Sequence, residues 1–208
     1  MRLDIHVHTS PGSRCSVMRV NEYLAAAVEL GLRAICITNH GDMADYDRLV
    51  SRAPAGLEVI PGVEISCVDG DFLIFSTELD WLRTLAPAQP LPARNQRPAE
   101  TAVVWAHPFA GVFGGERMKE EYLERVSRQV DGIEVYNGNW PDEQASRRAR
   151  RLTLQYGLAE IGGSDSHRRA NLMRCWTEVG EDMIRDSLSL IRLIKKRETA
   201  AGCGQPGG

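Results

Sequence analysis

Short, continuous apolar runs alternate with stretches of helical periodicity along most of this 208-residue chain. That alternation admits few folds. Strands that are apolar on both faces must be covered by the helices between them, which gives a largely parallel α/β sheet. Strands are expected at Leu3–Val7, Arg33–Thr38, Leu57–Val63, Phe72–Ser76, Ala102–Ala106, Gly132–Tyr136, Ala159–Gly162 and Cys175–Val179. Helices are expected at Asn21–Leu30, Pro141–Tyr156 and Asp182–Arg197. Gly31 supplies the first stop, Pro141 suits a first turn, and Ile184, Leu188, Ile191 and Ile194 repeat at helical spacing. Ala86–Pro98, rich in Pro, Gln and Ala, reads as a loop that is able to cover a site. One domain over residues 1–198 is expected, with a disordered Gly-rich tail over 199–208. So many β-α units suit a closed barrel better than an open sheet.

The polar residues share an address. All five histidines stand at, or just past, the end of an expected strand: His6 and His8 in the first, then His40, His107 and His167. Glu64, Glu134 and Asp165 lie at the same ends. In parallel α/β folds the loops leaving those ends surround one crevice. Residues two apart on a strand face the same way, so Asp4, His6 and His8 line up while Leu3, Ile5 and Val7 turn to the helices. Asp165 and His167 pair similarly if the chain stays extended there. A single histidine at a strand end is usually hydrogen-bonded or solvated. Five at one address are better explained by a cation, which accepts lone pairs from imidazole and carboxylate and removes the cost of burying them.

Composition closes other routes. The net charge of −3 is spread along the chain, which gives no long-range attraction to nucleic acid or anionic membrane. No apolar run approaches the roughly 20 residues that span a bilayer, and charges interrupt the N-terminus. A cytoplasmic location is therefore expected. Cys15, Cys36, Cys67, Cys175 and Cys203 are odd in number and scattered, so neither a disulfide framework nor a cysteine zinc site is expected. Buried or idle thiols are the expectation, with Cys15 set apart because it lies near the histidine motifs.

In order, the motifs are Asp4-Ile-His-Val-His-Thr9, Ile37-Thr-Asn-His40, Gly62-Val-Glu64, Ala106-His-Pro108 and Gly163-Ser-Asp-Ser-His167. This ordered set, running from residue 4 to about 179, resembles the PHP family, named for polymerase and histidinol phosphatase. The resemblance implies a single-domain α/β fold, a distorted, TIM-like (β/α)7 barrel, with two or three divalent ions, Zn, Mn or Fe. It implies His6, His8, Asp165 and a bridging Glu64 around one ion, and Glu64 with His107 around another. Asp71 stands where relatives commonly supply a histidine, and is either that ligand's substitute or a turn residue. Glu134 is either a ligand or a partner of one. The third ion takes His40 and His167. Relatives add a His or Asp from the loop after His8, where this chain has Pro11-Gly-Ser-Arg-Cys-Ser16, so the third site is weak, absent, or completed by Cys15 or water. Asn39 replaces the usual aspartate.

The expected function is that of a metal-dependent phosphoesterase acting on a small phosphorylated metabolite or nucleotide through a metal-bridging hydroxide, with Glu64, Asp165 and His167 catalytic. Arg14, Arg168, Arg169, Arg174 and Asn137 are the expected phosphate contacts, since guanidinium forks match phosphate oxygens. Nucleic acid is an open partner, not a favoured one. The alternatives are an end-processing nuclease, a non-catalytic metal-binding PHP module, and an amidohydrolase-type metallohydrolase. The last commonly uses a lysine at a strand end. Here Lys119, Lys195 and Lys196 all fall in helical stretches.

Overall fold

The computed structural model describes residues 1–110, 119–180 and 184–204. Strands β2 (Ala34–Ile37), β3 (Glu58–Cys67), β4 (Gly70–Ser76), β5 (Thr101–Trp105), β6 (Gly132–Asn137) and β7 (Ala159–Gly163) form one sheet in chain order. β2–β3, β5–β6 and β6–β7 pair in parallel, whereas β4 is antiparallel to both neighbours. The described residues thus build a mixed α/β domain on a curled six-stranded sheet, in which the expected β/α repeat is interrupted at β4. The reason is local: only Val68 and Asp69 separate β3 from β4, too few residues for a crossover helix.

The expected first strand is also modified. β1 is Arg2–Leu3, paired antiparallel with β8 (Cys175–Glu178), which in turn pairs with β9 (Ala200–Cys203). Residues 4–8 continue between the ends of β7 and β2, held by His8 N to Ser166 O at 2.9 Å, Ser166 N to His6 O at 3.2 Å and Thr38 N to Val7 O at 3.0 Å. The curled six-stranded sheet is bridged at one rim by these few bonds, and that rim carries the histidines.

Helices cover the sheet as the periodicity requires. α1 (Val20–Glu29) and α2 (Ala44–Arg52) pack with Val7, Ile35, Ile37 and Val59. α3 (Leu79–Thr84), α4 (Glu120–Ser127) and α5 (Glu143–Tyr156) cover Val63, Ile74, Val103 and Ile133. α5 begins after Asp142, whose side chain accepts from the N–H groups of Gln144 and Ala145, and ends at Gly157 with φ +61°. α6 (Ser187–Lys196) inserts Leu190, Ile191 and Ile194 against Leu3, Ile5, Leu73 and Phe75. Each such fully buried side chain contributes roughly 1.5–3 kcal/mol. Asp182, the expected start of that helix, lies outside the described residues.

Two expectations about the C-terminus are corrected. The tail expected to be disordered from 199 forms β9 over Ala200–Cys203, while residues 205–208 lie outside the described set. Cys175 and Cys203 sit directly opposite each other in the β8–β9 register and are joined as a disulfide, so these two are not idle thiols. Cys15, Cys36 and Cys67 are free. No helix among the described residues is long and apolar enough to cross a membrane.

Candidate metal centre

Donors from several strands and the segments that follow them meet at the bridged rim. His6 and His8 come from the 4–8 segment, and His40 follows β2. Glu64 lies within β3, which continues to Cys67, and pairs with Leu73 across the β3–β4 ladder. His107 follows β5, Glu134 belongs to β6, and Asp165 and His167 follow β7. The imidazoles converge: ring centroids are 5.1 Å apart for His6–His8, 5.7 Å for His6–His107, 4.5 Å for His8–His40 and 4.4 Å for His8–His167. His107 and Asp165 hold backbone φ angles of +28° and +50°, a strained choice for residues with side chains. Asp165 is therefore not extended, and strand alternation does not set its pairing with His167.

Hydrogen bonds decide which ring nitrogen each histidine offers. Nδ1 of His6 donates to Glu134 Oε1 at 2.9 Å. Ser13 Oγ donates to Asn39 Oδ1 at 3.0 Å, so it accepts from His8 Nδ1 at 3.2 Å. In both rings Nε2 is left for the site, wholly buried and without a hydrogen-bond partner. His6 Nε2 is 3.4 Å from Glu64 Oε2 and 3.5 Å from Asp165 Oδ1, and His8 Nε2 is 3.2 and 3.3 Å from the same two oxygens. Ligands held about 2.1 Å from a tetrahedral cation stand roughly 3.4 Å from one another. The four His–carboxylate distances are close to that spacing, and His6, His8 and Glu64 form a group able to hold an ion.

Glu64 turns its other oxygen, Oε1, to His107 Nε2 at 3.2 Å, and Asp71 lies within reach of both. His8, His40 and His167 form a further group that could hold an ion. Glu134 divides its oxygens between His6 and the backbone N–H of His107, the latter at 2.9 Å. That arrangement orients the His6 ring and the His107 backbone, and Glu134 also groups with His6 and His107 closely enough to hold an ion.

Electrostatics follow from the crowding. Burial pulls His6 down, but the charges of Glu134, Asp165 and Glu64 overcome it and hold the imidazole well above its ordinary range. His107, also opposed by burial, is raised by Glu64 and Glu134 to about 9. Burial would raise Glu64 and Asp165, yet His6 and its neighbours hold both below the ordinary carboxylate range. His40 and His167 are lowered, first by burial and then by neighbouring imidazoles. Without a cation, protons on His6 and His107 are what balance the buried carboxylates, while His40 and His167 are disfavoured as cations.

A sign follows for metal uptake. With the metal-free pKa of His107 at about 9, its Nε2 is protonated at pH 7 and must lose that proton to coordinate. Uptake should release protons, and apparent affinity should rise with pH up to about 9. Calorimetry in two buffers of different ionisation heat measures this directly, and uptake without proton exchange would contradict the protonated apo cluster.

Other expected residues land in several places. Asp4 is buried and receives the N–H groups of His6, Ser164 and Met173, so it braces the chain and points no oxygen at the cluster. Burial raises its pKa to about 6 against those hydrogen bonds. Asn137 donates to Glu134 Oε2 at 2.9 Å and lies 3.5 Å from Asp165 Oδ2, which commits its amide to carboxylates. Arg169 pairs with Glu29 on α1, while Arg14, Arg168 and Arg174 are exposed. The Ala86–Pro98 loop starts beside the strand that bears Glu64, where Ala88 N donates to Ser66 O at 2.7 Å, and its Arg94 and Arg97 bind the carbonyls of Arg128, Gln129 and Val130 before β6.

The sequence reading missed Ser13 and Asp45. Asp45 is fully buried and accepts from Thr9 Oγ1, Gly12 N and Asn39 Nδ2, which restores near Asn39 the charge its substitution removes. An acidic residue in the first turn of α2, five after His40, is a usable signal. Gly163 is a third silent contributor. A Cβ there would stand 2.5 Å from His6 Cβ and 2.6 Å from Glu134 Oε1. Gly163→Ala should therefore weaken metal binding by about 10- to 100-fold, the range for disturbing a ligand's partner. Competition against a chromophoric chelator reads this, and unchanged affinity would show that the cradle is slack.

The fold and site define a PHP-type metal-binding α/β domain. The PHP domain model matches residues 4–131 and the PHP-associated model residues 143–199; the chain belongs to the PHP family. It is 34% identical over 89 residues to the PolC-type DNA polymerase III of Lacticaseibacillus paracasei, a match covering 42% of this chain but only 6% of that polymerase. It is also 34% identical over 91 residues to a Shewanella loihica protein named probable phosphatase, covering 38% of this chain and 36% of that one. In fold it is similar to PsfC of Pseudomonas syringae, with TM-score 0.72, 22% identity, and 98% and 91% of the two chains covered. It also resembles an amidohydrolase from Chromobacterium violaceum, with TM-score 0.56, 16% identity, and 80% and 88% covered.

Proposed function

We propose that this chain is a metal-dependent phosphoesterase acting on a small phosphorylated metabolite or nucleotide. The observation that carries the reading is the set of four buried atoms, His6 Nε2, His8 Nε2, Glu64 Oε2 and Asp165 Oδ1, at 3.2–3.5 Å across each His–carboxylate pair. Their spacing suits one cation. Glu64 Oε1, His107 and Asp71 suit a second, and His40 with His167 a third. Bound divalent ions supply Lewis acidity toward phosphoryl oxygens and lower the pKa of coordinated water.

The chain's own work is positional. Glu134 and Ser13 fix the His6 and His8 rings with Nε2 toward the cluster. Glu64, with one oxygen toward each of two positions, sets their separation. His40, with 42% of its side chain exposed, faces the open side of the site. Arg14, Arg168 and Arg174, exposed on the neighbouring loops, are the proposed phosphate contacts. A second reading, a nuclease acting on nucleic-acid ends or a polymerase-associated module, is favoured by the stretch shared with the PolC-type polymerase.

The test is to purify the protein without chelator, measure bound metal, and assay phosphomonoesters, phosphodiesters and single-stranded DNA ends with manganese, zinc or iron. Turnover of a small ester is expected. Cleavage confined to DNA ends would establish the second reading. Activity on none of them with metal fully bound would sink the esterase proposal.

A further inference from the structure

We propose that Cys15 is a thiolate ligand completing the third cation position with His40 and His167, and that it makes this position selective for zinc, cobalt or ferrous iron over manganese or magnesium. The inference rests on the metal-dependent reading above. Cys15 Sγ lies 3.1 Å from His167 Nε2, and His167 Nδ1 is committed to Asp165 O at 2.9 Å, so the other nitrogen faces the sulfur. The rings of His8, His40 and His167 lie close together and form a group able to hold an ion, so the thiol adjoins a built imidazole cluster.

The turn that carries the cysteine is fixed to the same cluster. Ser13 N bonds Thr9 O at 2.8 Å, Ser16 Oγ donates to His8 O at 2.9 Å and His167 O at 3.2 Å, and Val17 N donates to His167 O at 3.0 Å. No other side chain from Ser10 to Ser16 is an imidazole, carboxylate or thiol. Of the three free cysteines, Cys36 and Cys67 are buried and Cys15 is exposed beside the site. Thiolate favours borderline and soft ions, whereas the position built on Glu64 and Asp165 offers hard oxygens. The two ends of one cluster therefore differ in the ion they prefer.

The test reconstitutes metal-free protein with cobalt(II). A near-ultraviolet sulfur-to-cobalt charge-transfer band is expected in the wild type and is expected to vanish in Cys15→Ser and Cys15→Asp, with Cys15→Asp still binding the wild-type number of cobalt ions. In parallel, zinc should slow alkylation of Cys15 by iodoacetamide about tenfold, because a metal-bound thiolate is withdrawn from attack. Cobalt binding with no such band, a band that survives in Cys15→Ser, or alkylation indifferent to zinc would overturn the assignment while leaving the esterase reading in place. Failure to bind cobalt at all would overturn both.

Discussion

Glu64→Gln should lower phosphoester hydrolysis by about a thousandfold, matching the several kcal/mol that bound metals supply to a developing phosphoryl charge. Glu64 is the residue whose loss is felt at every position of the cluster. Its Oε2 stands 3.1 Å from His40 Nδ1, 3.2 Å from His8 Nε2 and 3.4 Å from His6 Nε2, while Oε1 faces His107 Nε2 at 3.2 Å. Glutamine keeps the shape but replaces one oxygen with a donor and removes the charge, so one position loses its ligand. The loss should appear mainly in kcat, since the missing interaction matters most in the transition state. The strand should survive, because Glu64 N still bonds Asn39 O and Glu64 O still accepts from Gly41 N. His8→Ala and Asp165→Asn should abolish turnover for the same reason. Steady-state rates of metal-reconstituted variants, with circular dichroism as the folding control, decide this. A wild-type rate from Glu64→Gln would contradict the bridging role.

Stripping metal should cost the fold about 4 kcal/mol if the ion is present at a thousand times its dissociation constant. For a chain of this size that is a fall in Tm of about 10 °C. The physical origin is visible in the cluster, where two buried imidazole nitrogens have no hydrogen-bond partner. The metal-free protein should also become less stable in alkali. The pKa of His107, raised to about 9, makes its protonation a stabilising contribution that is complete below about 6.5 and lost as pH rises through 9. Scanning calorimetry with chelator, and again after metal is returned, checks both statements. A Tm indifferent to chelator would mean that the cluster binds nothing tightly.

The histidine address was legible because strand periodicity and strand ends are local properties of sequence. His6 and His8 are two apart, and His40, His107 and His167 each follow an apolar run; the fold brings all five together. What escaped depends on partners far along the chain. The antiparallel β4 follows from a connection of two residues that reads, from composition, like any other turn. The Cys175–Cys203 bond and β9 depend on a register between segments 28 residues apart, which spacing alone does not reveal. Ser13 matters only because Asn39 accepts its hydrogen bond, and Asp45 only because a loop folds onto it. Neither bond has a periodic signature. Of the four arginines expected to meet phosphate, Arg169 is tied to Glu29 and the other three are exposed, so the substrate is the least legible part of the site.

The central claim is that imidazoles and carboxylates from distant strands share cations. Anomalous X-ray diffraction at a metal absorption edge, on protein purified without chelator, tests it most directly. A peak is predicted within about 2.3 Å of His6 Nε2, His8 Nε2, Glu64 Oε2 and Asp165 Oδ1 together. Fully ordered side chains at those positions with no anomalous density between them, or metal bound elsewhere on the chain, would contradict the account.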